Sequence, residues 1–499
     1  MIHYMGVDIG TSGSKAVVFD DTGRQVAMAY REYDLQSPQP GWAELDSNEV
    51  MDSCLAIIAE AASQLPAKSV RGLGISSQGE AFTALDANGN VLSNALVSSD
   101  VRAATYSSDW SKEFGIDKLY QITGHTSHPM FSLFKLLWLR DNQPEVWSKA
   151  AKFLCFEDLL QFRLGVDAAI GWPLAGRTML FDVRKHEWSG AIMEAVGLRT
   201  DQLARPLPSG SVSGKISPSI AADLGLADNC LVVTAGHDQP CGALGAGVTE
   251  PGVAMYATGT VECITPAFCE PRFTASLQKN NLCTYDHTVP GMYATVAFSL
   301  TGGNILKWFR EQFGSTEVEQ EKQTSTNAYD LLLRAAGEDP SDLLVLPYFT
   351  PTGTPYFDTE ATGAILGLRL TTTRGQIIRA LLEGVAFEMR LNMDILEYSG
   401  LAINELRAIG GGAKSRTWTQ LKADVMGKPI SILDVTEAGC LGAAALSKSA
   451  DSGEPITQLA SSWTNVIGTV EPRADIADRY TQRFEQYKKL YPTLRPLQI

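Results

Sequence analysis

Residues 4–24 read YMGVDIGTSGSKAVVFDDTGR, and this stretch decides the fold. Two β-rich segments, YMGVDIG and SKAVVFDD, flank a turn made of Gly, Thr and Ser, and DTGR supplies a second turn. Asp8 lies in the first segment, directly before the small-residue turn. Such a turn exposes backbone N–H groups and hydroxyls with little bulk, which suits phosphate oxygens. The stretch therefore predicts a strand–turn–strand hairpin that can bind phosphate.

A second stretch of the same kind begins midway along the chain. Residues 251–266 read PGVAMYATGTVECITP, again strand, small-residue turn and strand, with Thr258, Gly259 and Thr260 in the turn. One glycine-rich hairpin is weak evidence, because many are plain tight turns. Two in corresponding places indicate a weak internal repeat. We expect each half to offer one phosphate turn to a shared cleft, where small ligands tend to bind.

The segments between the hairpins alternate between β and α patterns, which indicates an α/β protein. A helix is predicted from residue 47, with Ser47 or Asn48 as its N-cap. Residues 81–92 predict a hairpin with Asn88–Gly89 at its tip. The division is expected near residues 246–252, giving domains 1–247 and 248–499. A chain of 499 residues exceeds the roughly 250–300 residues of a single core, so two domains are expected.

Composition excludes several classes of function. The formal net charge of −15 argues against general binding to nucleic acid or to an anionic membrane. No apolar run approaches the length of a membrane span. The first residues lack a basic segment followed by an apolar one, so we expect no signal segment. The eight cysteines are scattered and the six histidines lack ligand spacing. We therefore expect buried thiols rather than disulfides, no zinc site and a cytoplasmic location.

Two carboxylates are candidates for chemistry. Beside a polyphosphate, Asp8 would repel the ligand unless Mg²⁺ lay between them, although it could instead accept hydrogen bonds from the turn. Asp238 follows the buried strand LVVTA and precedes a helix that starts near Pro240. It could be a plain N-cap, or it could reach the cleft and take a proton from a substrate hydroxyl.

A third glycine-rich turn, Gly410–Gly411–Gly412, lies between a strand and a helix and would let a ligand approach the backbone. It matches neither G-x-G-x-x-G nor G-x-x-x-x-G-K-[ST], so it favours neither a dinucleotide-binding Rossmann fold nor a P-loop. This absence argues against a nicotinamide dehydrogenase.

With these pieces in order, the chain resembles the FGGY family of carbohydrate kinases. The resemblance runs nearly end to end, and the last thirty or so residues carry least of it. The segments that carry it are MGVDIGTSGSKAVVFD, PGWAELD, MFSLFKLLWLRDN, AGHDQPCGALGAG, ATGT, LPYF, GAILGLRLTTTRGQIIRALLEGVAF and GGGAKSRTWTQLKADVMGKPI. It implies two actin/Hsp70-like (ribonuclease H-like) domains with an interdomain cleft, and ATP-dependent phosphorylation of a sugar or polyol.

The resemblance also implies residue roles. Asp8 would hold Mg²⁺ and Asp238 would be the general base. The acceptor sugar would contact Gly79, Glu80, Asp100 and Gln239. ATP would contact Thr11, Ser12, Thr258, Gly259, Thr260, Gly302, Gly303, Gly411, Gly412 and Ala413. Lys15 reads equally as a phosphate contact or as a solvated strand residue.

The acceptor segment departs from the family pattern. Xylulose kinases usually carry Met-His where this chain has Gly79–Glu80, and glycerol kinases carry Arg-Glu. Ser98–Ser99–Asp100 replaces the usual Trp-x-Asp, which removes an apolar wall. The resemblance thus implies a pentulose, hexulose or related polyol as acceptor and leaves glycerol, tetritol or aldonate kinases open. A non-catalytic nucleotide switch on the same fold is the rival from another class, and a homodimer is left open.

Overall fold

The structure, a computed structural model, describes residues 2–497. Its strands, in chain order, are β1 His3–Ile9, β2 Gly13–Asp20, β3 Gln25–Glu32, β4 Glu44–Leu45, β5 Val70–Ser77, β6 Thr83–Leu85, β7 Ala95–Leu96, β8 Lys152–Leu154, β9 Ala169–Gly171, β10 Phe181–Asp182, β11 Glu187–Trp188, β12 Arg205–Leu207, β13 Val212–Lys215, β14 Leu231–His237, β15 Gly252–Thr258, β16 Glu262–Phe268, β17 Tyr285–Asp286, β18 Tyr293–Ala294, β19 Ala297–Ser299, β20 Leu344–Leu346, β21 Ala364–Leu366, β22 Ile403–Ile409, β23 Ile430–Leu433 and β24 Val466–Val470.

The α-helices are α1 Ser47–Ser63, α2 Ala104–Phe114, α3 Ile116–Thr123, α4 Ser132–Asn142, α5 Pro144–Lys149, α6 Phe156–Arg163, α7 Trp172–Arg177, α8 Gly190–Val196, α9 Pro218–Asp223, α10 Asp238–Gly245, α11 Ala275–Lys279, α12 Gly303–Phe313, α13 Ser315–Gln323, α14 Ala328–Ala335, α15 Arg374–Tyr398, α16 Arg416–Met426, α17 Ala438–Ser452, α18 Ile456–Trp463, α19 Ala477–Tyr487 and α20 Leu490–Leu494. Within residues 2–497, no helix is both long and apolar enough to cross a membrane.

Two large sheets repeat one topology. The first has the order β13-β14-β5-β1-β2-β3, and the second runs β17-β18-β16-β15-β22-β23-β24, with β19 also paired to β16. In the first sheet, β1 pairs antiparallel with β2 and parallel with β5. In the second, β15 pairs antiparallel with β16 and parallel with β22. The repeat inferred from the two hairpins is thus a repeat of whole sheets.

At the junction of the two halves, a helix from the second half packs on the sheet of the first half. Helix α17 lies between β23 and β24 of the second sheet along the chain, yet it packs against β1, β5 and β14 of the first sheet and against α10. One apolar cluster joins Leu244 of α10, Met255 of β15 and Leu446 of α17. The strands of the first sheet end at residue 237 and those of the second begin at residue 252. The exact domain boundary at 247/248 stays a prediction.

Three details differ from the sequence-based expectations. Helix α1 is capped by Asp46, whose carboxylate accepts from the amide of Asn48, rather than by Ser47 or Asn48. Residues 81–92 form a turn at Asp86–Asn90, but the return strand is reduced to one bridge between Leu85 and Val91. All eight cysteines are unpaired, and Cys269 is exposed rather than buried.

Candidate active site

Hydrogen bonds to side chains of other elements hold the first phosphate turn, which contains Thr11 and Ser12, in place. The hydroxyl of Thr11 donates to Oε1 of Gln78 over 3.1 Å, while Nε2 of Gln78 donates to the carbonyl of Gly10 over 2.9 Å. The Tyr33 hydroxyl donates to the same carbonyl. Ser12, at the tip, is exposed. The turn is therefore held in one shape while its tip stays open to a ligand.

Asp8 lies at the inner edge of this turn. Its Oδ1 accepts a hydrogen bond from the hydroxyl of Ser76, at the end of β5, over 2.8 Å. Burial raises the pKa of the Asp8 carboxyl, and Ser76 and Lys15 act against that rise. Lys15 is itself engaged, because its Nζ lies 2.7 Å from Oε2 of Glu437. Lys15 therefore forms an ion pair with Glu437. The sequence had suggested only a phosphate contact or a solvated strand residue.

Asp238 is the first residue of α10, and His237 occupies the N-cap position without a side-chain cap. The plain N-cap interpretation of Asp238 is therefore wrong. Its Oδ1 is buried and accepts no hydrogen bond, although Nε2 of His237 lies 3.1 Å away. A third of the side chain is exposed. Oδ1 is therefore buried without a hydrogen-bond partner, whereas the rest of the side chain is partly accessible to solvent.

The electrostatic surroundings of Asp238 favour a base that titrates near neutrality. Burial, together with the negative charges of Asp8 and Glu80, raises the pKa of its carboxyl to about 7, although Arg177 and a hydrogen bond from Gln239 act against the rise. His237 stays uncharged, because burial and Arg177 hold the pKa of its imidazole well below the usual value. Nδ1 of His237 and the hydroxyl of Tyr285 lie 3.0 Å apart, which fixes the ring.

Glu80 and Arg177 form a buried ion pair close to Asp238. Nε of Arg177 donates to Oε1 of Glu80 over 2.5 Å. Glu80 adopts a left-handed conformation with φ of +66°, and its carbonyl accepts from the hydroxyl of Ser132. The guanidinium lies 4.9 Å from the ring centroid of Phe131. Sequence reasoning missed Arg177, because no motif marks it and 97 residues separate it from its partner.

Because Gly79 has no side chain, His237 and the Glu80–Arg177 pair can pack directly against its backbone. A Cβ atom at residue 79 would lie 3.0 Å from Nε2 of His237 and 3.4 Å from Nε of Arg177. Gln239, the residue after Asp238, connects the two halves, and its predicted contact with the sugar stays a prediction. Its Oε1 accepts from the Cys263 thiol of β16 over 2.9 Å.

Asp100 stands apart from these residues. Its carboxylate accepts from the amide of Ala43 over 2.7 Å and from Nε of Arg102 over 2.8 Å. Arg102 is stacked 3.7 Å from the ring centroid of Trp42 and 4.9 Å from that of Trp138. Asp100 is fully buried in this arrangement. Both its oxygens are engaged, and its contact with a sugar stays a prediction.

The second phosphate turn opens onto a cavity of about 840 Å³. Five of the residues predicted to contact ATP line it: Gly259, Thr260, Gly303, Gly411 and Gly412. Thr258, Gly302 and Ala413 are buried behind its wall. Sequence reasoning missed the outer wall, which includes Asn327, Tyr329 and Trp418. Three separate glycine-rich stretches thus meet around one space of a size suited to a small-molecule ligand.

Two buried carboxylates, those of Glu157 and Glu262, hold backbone and side-chain groups next to the candidate site. Glu157 accepts from the amide of Ala235, three residues before Asp238, and from the amide of Gly171, at the base of α7. Burial raises the pKa of Glu157 to about 8. Glu262, directly after the second turn, pairs with Nζ of Lys422 at 2.6 Å. No spacing pattern in the sequence marks either residue.

The two lobes repeat one α/β topology, and each presents a small-residue turn predicted to bind phosphate. An aspartate begins the helix between them. This arrangement is that of a two-domain phosphotransferase of the actin/Hsp70-like fold. The chain belongs to the FGGY family of carbohydrate kinases: residues 3–245 match its N-terminal domain and residues 254–450 its C-terminal domain.

Individual relatives span the whole chain. It is 27% identical to a xylulose kinase of Bacillus subtilis, over 100% of this chain and 98% of the relative. It is 31% identical to a glycerol kinase of Methylibium petroleiphilum, over 89% of this chain and 90% of the relative. The crystal structure of a xylulose kinase from Rhodospirillum rubrum superposes with a TM-score of 0.89 at 26% identity, covering 99% of both chains. The protein is therefore a carbohydrate kinase, as the sequence predicted.

Proposed function

We propose that this kinase transfers the γ-phosphoryl group of ATP to a hydroxyl of a ketose, such as a pentulose or hexulose, or of a related polyol. Asp238 acts as the general base that takes the proton of the attacking hydroxyl. The observation that carries the proposal is its buried Oδ1, which accepts no hydrogen bond at the junction of the two lobes. A base with a pKa near 7 suits this task at neutral pH.

ATP binds in the cavity lined by Gly259, Gly303 and Gly411, with its phosphates between the turns at Thr11–Ser12 and Thr258–Thr260. Backbone N–H groups and hydroxyls of such turns bind phosphate oxygens without needing cationic side chains, in keeping with the acidic composition. Thr258, Gly302 and Ala413 shape this wall from behind. Phosphoryl transfer depends mainly on such positioning and on neutralised charge.

The residues present fit Mg²⁺. The charge of Asp8 raises the pKa of Asp238, and Oδ1 of Asp238 is buried without a hydrogen-bond partner. Carboxylates, waters and substrate phosphates are the ligands that Mg²⁺ prefers. Asp8 would hold the ion, which would supply neutralisation of the phosphate charge. Closing the lobes would exclude water, which otherwise competes with the acceptor for the phosphoryl group.

The direct test is ADP release from the full chain with ATP and Mg²⁺ over pentuloses, hexuloses, tetritols, glycerol and aldonates. Best turnover with a pentulose or a hexulose supports the proposal. Best turnover with glycerol, a tetritol or an aldonate would move the protein to another branch of the family. ATP binding without turnover on any acceptor would favour a nucleotide switch. A cytoplasmic location and a homodimer stay predictions.

A further inference from the structure

A buried ion pair lies directly behind the second phosphate turn. Glu262, two residues after Thr260, is fully buried, and its Oε1 lies 2.6 Å from Nζ of Lys422 in α16. Beyond this ion pair, neither atom has a hydrogen-bond partner within residues 2–497. The hydroxyl of Tyr256, in β15, donates to Oε2 of the same carboxylate. Glu262 and Lys422 therefore depend on each other for charge compensation.

Glu262 contacts two of the glycine-rich stretches that surround the nucleotide cavity. It faces Thr258 across the hairpin, as the residue pair that closes the turn. A Cβ atom at Gly302 would lie 2.8 Å from Cγ of Glu262, so the start of α12 packs directly on this side chain. The amide of Gly303 donates to the carbonyl of Gly259 over 2.8 Å. The position of the Glu262 side chain is thus coupled to that of the turn and of α12.

Lys422 connects the same pair to the third stretch. It lies on α16, the helix that follows the turn at residues 410–412. Its Nζ lies 4.2 Å from the ring centroid of Trp418, which lines the cavity, and 5.0 Å from that of Tyr256. A cation over aromatic rings is stabilised by their negative faces. One ion pair therefore contacts elements from all three sides of the cavity.

An unpaired carboxylate at residue 262 would oppose the binding of a polyphosphate. Gly259, Thr260 and Gly303 line the adjoining part of the cavity and carry no charge, so they would not offset it. Charges interact more strongly in a protein interior than in water. Removing one partner of a buried pair also leaves the other charge uncompensated.

Resting on the proposed function, we propose that Lys422 is a positioning residue for the phosphates of ATP. It neutralises Glu262 and holds that carboxylate against Tyr256 and the start of α12. Lys422 is buried and does not line the cavity, so it acts through Glu262 and the second phosphate turn. A triphosphate should depend on this pair more than a monophosphate does, because it carries more negative charge next to the turn.

The test measures Kd for ATP and for AMP, each with Mg²⁺, by calorimetry on the full chain without an acceptor. Lys422→Met should raise Kd for ATP at least about tenfold and Kd for AMP less than about threefold. A pH of about 8.5 keeps more of the unpaired Glu262 ionised. The double variant Glu262→Gln/Lys422→Met removes both charges and should return Kd for ATP to within about threefold of the wild-type value.

Arg379→Met is the matched control. Arg379 and Glu383 form a second ion pair in the same half of the chain, equally buried, and the Tyr480 hydroxyl donates to Glu383 as Tyr256 does to Glu262. This variant should unfold at a lower temperature and leave the ratio of the two Kd values unchanged.

An unchanged Kd for ATP in Lys422→Met, an equal loss for ATP and AMP, or no recovery in the double variant would overturn the inference. Failure of the wild-type protein to bind ATP would instead overturn the proposed nucleotide site. If Lys422→Met does not fold, Glu262→Asp decides, because it keeps the charge but draws the carboxylate away from Lys422. It should raise Kd for ATP at least about threefold without changing that for AMP, and an unchanged Kd for ATP refutes the inference.

Discussion

A Cβ atom at Gly6 in β1 would lie 1.9 Å from the carbonyl oxygen of Cys440 in α17. The same close approach recurs between Gly74 of β5 and the carbonyl of Ala443, at 2.0 Å. A helix from the second half of the chain therefore rests directly on the backbone of the first sheet. Asp8 takes part in the same contact, because a Cβ atom at Gly439 of α17 would lie 3.4 Å from its carboxyl carbon.

Gly6→Ala should lower the free energy of unfolding by roughly 3 kcal/mol, since the helix backbone must move to admit a methyl group. Urea denaturation of the full chain measures it. Gly468→Ala, where nothing lies within 4 Å, is the control and should change stability by no more than about 1 kcal/mol. Equal stability of the two variants would contradict the tight contact.

Asp238→Asn should lower kcat at least about 100-fold, because an amide cannot take the proton of the acceptor hydroxyl. ATP affinity, measured by calorimetry, should be retained, since the nucleotide cavity lies on other residues. Asp228→Asn, at an exposed aspartate paired with Lys68, is the control and should keep full activity. Undiminished turnover in Asp238→Asn would remove this residue from the mechanism.

Activity should depend on the protonation of Asp238. Because burial raises the pKa of this carboxyl to about 7 and only the ionised form accepts a proton, kcat/KM should fall about tenfold per unit of pH well below 7. Asp8, Glu80 and Arg177 face this group, and His237 beside it stays neutral, so no second limb from that histidine is expected. Direct quantification of ADP between pH 5 and 8.5 checks this, and a flat profile over that range refutes it.

Gly79→Ala should raise KM for the acceptor several-fold and leave KM for ATP unchanged. The added methyl group presses on His237 and Arg177, which lie beside the proposed base Asp238 and do not line the cavity proposed for ATP. Steady-state kinetics with each substrate varied in turn gives both constants. Gly190→Ala, at an open helix start, is the matched control. A rise in KM for ATP alone would place residue 79 elsewhere in the reaction.

Glu388 should make stability depend on pH. It is buried, accepts from the hydroxyls of Tyr348 and Tyr487, and burial raises its pKa to about 7 in the folded chain. An unfolded glutamate titrates near about 4.3. The stability from this group is therefore full below about pH 4.3 and is lost as pH rises through 7.

Glu388→Gln lacks that dependence. Its free energy of unfolding minus that of the wild type should increase by on the order of 2 kcal/mol between pH 5 and 7 and then level off. Denaturation curves at several pH values measure the difference. Glu113→Gln, at an exposed position, should show a constant difference. The same constant difference in Glu388→Gln would show that this carboxyl titrates normally.

The local pattern was enough to predict the elements that carry phosphate chemistry. Small residues between β-rich segments marked both hairpins, and the strand–glycine–helix pattern marked the turn at residues 410–412. The N-cap residue of α1 was harder to predict from the sequence. Asp46, Ser47 and Asn48 are all favourable N-cap residues, and only the backbone conformation in the structure selects Asp46.

The sequence by itself determined the α/β class, the two hairpins of the internal repeat, the family and the aspartate that follows β14, because these depend on residue types at short spacing. Only the tertiary structure decided that Arg177 meets Glu80, that Glu437 holds Lys15, and that α17 packs on the sheet of the other half. Those pairings join residues about 100 to more than 400 positions apart. Side chains so distant are brought together by the packing of whole sheets and helices, which no local spacing encodes.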